Sequence, residues 1–190
     1  NITFNSRIDS ETSEANQLHL SAGTQSVTFN GNIGATANGE LGRLIVRNAG
    51  GGVTFGAADT YSNGVGPVDT INIAGDGNAA TTDFDIGSVS VITGTGIRLN
   101  GGTTTNKLTL TTTDDDVRFN GSVKLQTHVL IDTGSAGAGD ITFTSDSPIN
   151  SEDDSTGATT TERNNLTLNA GTGSVFFNAN IGTTQRLGLL

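Results

Sequence analysis

Cysteine, methionine and tryptophan are absent from this 190-residue chain, tyrosine occurs once and proline twice. Without cysteine, no disulfide staples the fold and no thiolate holds a metal or attacks a substrate. Aromatic residues make up 5%, almost all of them Phe in apolar strand patterns, which leaves few rings for stacking against sugars or bases. Basic residues number 9 against 19 acidic, a formal net charge of -10 that argues against nucleic acid as a partner. No apolar run approaches the roughly 18 residues of a membrane-spanning helix, and no signal peptide opens the chain, so no membrane insertion is expected. Apolar residues at three-four spacing never persist beyond two turns, so helices are not expected either. A hydrophobic fraction of 33% is thin for a globular core of this length.

What is present is repetition. The stretch Leu18 to Ile33, LHLSAGTQSVTFNGNI, returns as LTLNAGTGSVFFNANI from Leu166 to Ile181. Each copy starts with Leu-x-Leu, or Leu-x-Val, and nine residues after the first Leu begins a strand with Val: Leu18 to Val27, Leu44 to Val53, Leu108 to Val117 and Leu166 to Val175. The second half has the form [IV]-x-F-N-[GSA]-x-[IV], as at Ile2, Val27, Val117 and Val175. Val27 and Phe29, two apart, point to one strand face while Thr28 points to the other. Asn30-Gly31 then supplies residues tolerant of left-handed backbone angles, and the chain restarts at the apolar Ile33. A unit of strand, corner and strand is expected, with the corner residues Asn5, Asn30, Asn120 and Asn178 stacking into a ladder.

These features predict an all-β fold: a β-solenoid of stacked strands with about 18–27 residues per turn. Such a column needs only a narrow core and accommodates 27 glycines in its turns. The spacing predicts one domain over 1–190, starting mid-repeat as a piece of a longer array, with a super-repeat of about 140–148 residues holding roughly six turns. Strand starts are expected at 18, 44, 71, 89, 108, 129 and 166, and an acidic insertion of about nine residues between Ser145 and Asn165. The units LTLNAGTGSVFFNANIG and LHLSAGTQSVTFNGNIG resemble repeats of very large bacterial surface and secreted proteins of the filamentous-haemagglutinin and autotransporter adhesin kind. That resemblance implies a right-handed parallel β-helix, an extracellular or cell-surface location and a structural role.

No catalytic or cofactor-binding residue is expected. His19 and His128 have no Ser or Cys at a recurring distance and read as surface residues. Asp83 and Asp85 lie on one strand face, as would Asp114 and Asp116 if that segment were extended, in the manner of a glycosidase pair, but aromatic platforms are lacking. Three acidic groups, Asp114-Asp115-Asp116, Asp76 with Asp83 and Asp85, and Glu152-Asp153-Asp154, make Ca²⁺ the one metal to consider; solvated loop carboxylates are the favoured account of them, and no metal site is assigned. Asn1 and Asn165 fit the glycosylation acceptor pattern. Thr runs at Thr103, Thr111 and Thr159 fall in loops, against an ice-binding array. Tyr61, beside Val65 to Val68, is the one aromatic candidate for ligand contact.

The expected function is a mechanical spacer, the structural repeat of a long extracellular fibre, stalk or filament whose partner is itself, stacked end to end. An adhesin module recognising glycan or protein is the alternative. A carbohydrate-active enzyme comes third.

Overall fold

The computed structural model describes residues 1–56, 68–76, 78, 81–101, 107–134, 137–152 and 163–190. Within them the chain forms strands and no helix: β1 (Ile2–Phe4), β2 (Gln17–Ser21), β3 (Ser26–Phe29), β4 (Arg43–Asn48), β5 (Gly52–Phe55), β6 (Thr70–Ile73), β7 (Thr82–Ile86), β8 (Ile92–Leu99), β9 (Leu108–Thr112), β10 (Asp116–Phe119), β11 (Gly121–Leu125), β12 (Val129–Asp132), β13 (Ile141–Phe143), β14 (Ile149–Ser151), β15 (Leu166–Asn169) and β16 (Val175–Phe177). They make three sheets. Sheet I has the order β2-β4-β7-β10-β13-β16, sheet II β1-β3-β5-β8-β11-β14, and sheet III β6-β9-β12-β15. Every strand pairing is parallel. From β4 onward the chain visits sheets I, II and III in rotation, so each strand bonds to one a full circuit away. Isolated bridges from Ile33 to Ile8 and Ile71 continue sheet III upward, and one from Ile149 to Ile181 continues sheet II.

The circuits are longer and less regular than expected. Paired positions lie 21 residues apart from Leu110 to Ile131 but 44 apart from Val53 to Ile97, against the anticipated 18–27. The short steps arise because the strand starts switch from sheet I (18 and 44) to sheet III (71, 108, 129 and 166), and because 89 opens no strand. Ser88 to Val91 is no strand at all, and Val89 is 61% exposed. Thr111 and Thr112 end β9 and are not in a loop. Counted on the sheets, Leu18 and Leu166 are separated by four and two-thirds circuits, not six; so are Ile2 and Ile141. The repeated unit therefore occupies sheets I and II in its first copy and sheets III and I in its last.

One hydrophobic cluster runs through the interior. Its spine is a run of seven Phe rings, Phe4, Phe29, Phe55, Phe84, Phe119, Phe143 and Phe177, with successive centroids 4.9 to 5.8 Å apart. The rings stack within 7° of parallel along sheet II as far as Phe55 and along sheet I from Phe119. Between, Phe55 to Phe84 and Phe84 to Phe119 tilt by 38° and 58°, where the ladder changes walls. That switch is the one-third-circuit offset of the repeat, seen in the core. Phe29 and Phe119 are thus both fully buried yet in different sheets, and Phe177, on the edge strand β16, is 36% exposed.

The corners also depart from expectation. Neither Asn30 nor Gly31 has a positive φ; Gly31 is needed because a Cβ there would collide with the backbone of Ser6 and Arg7 on the next level. Asn30 Nδ2 donates to Asn5 Oδ1 at 3.1 Å, but Asn120 Nδ2 donates to the Gly87 carbonyl at 2.9 Å, so the Asn ladder is a pair and not a column.

Candidate metal centre

Where sheet III turns into sheet I, each level ends its corner on the residue before the first apolar position of the strand. Those residues are Gln17, Arg43, Asp83, Asp116, Asp140 and Ser174. The lower part of this column explains most of the acidity without any ligand. Asp116 Oδ1 accepts the Asp140 N–H at 2.7 Å, and Asp140 Oδ1 accepts the Ser174 N–H at 2.7 Å. Asp114 Oδ1 likewise accepts the Gly137 N–H at 2.7 Å. Each carboxylate satisfies a backbone donor on the level below, a structural task.

Asp83 is different. Thr82 pairs with Asp116 and Phe84 with Val117, so β7 carries one residue more than β10 and bulges. In TDFDI the alternation places Asp83 outward with Asp85, but the bulge turns it in, and it is fully buried beside the buried Phe84. Arg43 on β4 answers the charge: its Nε lies 2.7 Å from Asp83 Oδ1, and its second guanidinium nitrogen donates to the Thr82 carbonyl at 2.8 Å. Asp83 Oδ2 accepts the Asp76 N–H at 2.9 Å.

Asp115, one residue before β10, completes the group and is 1% exposed. Carboxylate oxygens of Asp76, Asp83 and Asp115 all lie within 4.8 Å of one another, Asp76 on the solvent side. Among the described residues no N–H or hydroxyl donor reaches either oxygen of Asp115, which faces the Asp83 carboxyl. Burial, with Asp83 and Asp76 close by, pushes its carboxyl up to about 6. Burial also raises Asp83, against the pull of the Asp76 N–H. Asp76 is held down by hydrogen bonds from the Thr81 hydroxyl and the Asn78 N–H. Gly75 takes a φ of +75°, and a Cβ on it would overlap Asp115 Oδ2, so only glycine lets the chain pass over the carboxyls.

The structure therefore takes Asp76 and Asp83 from one sequence group and Asp115 from another. It leaves out Asp85, which pairs with Arg118 at 2.9 Å, and Asp114 and Asp116. Glu152 bridges Arg98 and Lys124 at 3.1 and 3.2 Å, while Asp153 and Asp154 lie outside the described residues. Tyr61, Val65, Thr103 and Thr159 lie outside them too. Arg43 was the member the motifs did not single out; its signal was a cation at the outward position just before LIV. His19 is exposed on β2, and His128 Nδ1 accepts the Asn165 N–H at 3.0 Å. Asn165 Oδ1 accepts the Leu189 N–H at 2.9 Å, and Asn1 Oδ1 bonds Ser26. An open polar depression of about 590 Å³ crosses the outer face of sheet III, lined by Asp69, Lys107, Thr109, His128 and Thr167 among others, none of them aromatic. No family model, curated protein or solved structure matches the chain.

Proposed function

We propose that the three sheets are the walls of one right-handed parallel β-helix and that this domain serves as a rigid spacer in a long extracellular bacterial fibre or stalk. The observation that carries the reading is the parallel pairing of every described strand around one Phe-lined core. Backbone hydrogen bonds between levels then run along the long axis, so that tension loads them in parallel, and length scales with the number of circuits. Right-handed crossovers are the rule between parallel strands of one sheet. The repeat resemblance supports the extracellular bacterial setting. The edge strands β1, β2 and β16 have no strand partner on their outer side among the described residues, and there further circuits, of the same chain or a second copy, stack end to end.

Electron microscopy of the domain alone and of two copies fused in tandem tests this. Six-stranded sheets at about 4.8 Å per level predict that the rod lengthens by roughly 30 Å per copy at constant width. A compact particle, or a beaded pair with a flexible joint, would count against a spacer.

A further inference from the structure

We propose that the corner formed by Asp76, Asp83 and Asp115 binds one divalent cation of the Ca²⁺ class. The acidic grouping alone would not carry this, since Asp114, Asp116 and Asp140 show that carboxylates here serve as backbone acceptors. What sets the corner apart is Asp115. Its carboxyl is 1% exposed, faces Asp83 and Asp76, and among the described residues has no N–H or hydroxyl donor on either oxygen. An enclosed carboxylate without donors costs free energy unless something positive comes between it and its neighbours. Arg43 neutralises only one of the three carboxylates. Ligand chemistry selects the cation. All the donors are oxygens, with no His or Cys among them, which suits a hard ion and not zinc. Asp76 at the surface leaves an open side for entry and for the water ligands that fill out the six to eight oxygens of Ca²⁺. The bulge turns the Asp83 carboxylate toward this corner, and Gly75 lets the backbone pass without a side chain filling it.

Calorimetric titration of the metal-free domain with CaCl₂ near neutral pH, paired with thermal melts, is the test. One site per chain is expected, with a rise in Tm on saturation. The isosteric variant Asp115→Asn, checked for an unchanged circular dichroism spectrum, should weaken binding by about tenfold or more and lose the Tm rise. Asp146→Asn, an exposed aspartate away from the corner, should bind as the parent does. Absence of both heat and Tm shift up to about 10 mM Ca²⁺ would overturn the proposal, since even weak extracellular sites fill by then. Binding left unchanged in Asp115→Asn would overturn it as well, and absence of a signal with a proton shared between Asp83 and Asp115 would assign the corner to the proton.

Discussion

Asp115 is an ionisable group enclosed beside a second carboxylate, and this fixes how the metal-free protein responds to pH. Its folded-state value of about 6 lies above the ordinary 3.8, so the folded chain holds this proton more tightly than the unfolded one. Stability is then greatest below the ordinary value and falls as pH rises through 6; the loss is about 3 kcal/mol at neutral pH. Asp83, also raised, acts in the same direction. Urea unfolding in EDTA at about pH 4.5 and about pH 7 should show the lower midpoint at the higher pH, and Asp115→Asn should remove most of the difference. A midpoint that climbs across that interval in the parent would mean that Asp115 is ionised freely. This residue-level chemistry was only half legible. TDFDI reads as a one-sided strand with both carboxylates outward, and nothing local announces that β7 carries one residue too many. A bulge is a mismatch between two strands, here 33 residues apart, so it is absent from either strand's own pattern.

At the scale of elements, β7 offers an internal comparison. Asp83 is fully buried against Arg43, while Asp85 meets the more exposed Arg118. Arg43→Ala should cost about 3 kcal/mol near neutral pH, because it leaves a buried charge without its counterion. Arg118→Ala should cost about 1 kcal/mol or less. Equal losses in denaturant melts would mean that the bulge does not seal Asp83 from water. The Phe ladder makes a second prediction. Phe119→Ala removes a ring packed between Phe84 and Phe143 and should cost about 3 to 5 kcal/mol, whereas Phe177→Ala, at the edge strand, should cost visibly less. The strands themselves were plain in the sequence, since Val-x-Phe and Leu-x-Leu put two apolar groups on one face at fixed spacing. Which wall each strand joins was not. The same unit fits any two adjacent walls, and only the loop lengths, which vary freely at the surface, decide how far round the chain has travelled.

For the whole molecule, parallel sheets around one core imply that stability comes from stacking, with the proposed cation adding to it at one corner only. EDTA should therefore lower Tm without abolishing the β signal in circular dichroism at 25 °C, taking about room temperature as the reference of the account. Collapse of that signal would make the cation a structural requirement. The most direct test of the account is a distance along the column. His19 and Phe176, both exposed, occupy one outward row of sheet I through Ile45, Asp85, Arg118 and Thr142. The chain has no cysteine, so the pair His19→Cys and Phe176→Cys takes two spin labels cleanly. Five inter-strand steps from β2 to β16 predict a narrow distance distribution centred near about 24 Å in pulsed electron resonance. A broad distribution, or a centre displaced by more than about 10 Å, would contradict the ordered stack of parallel levels.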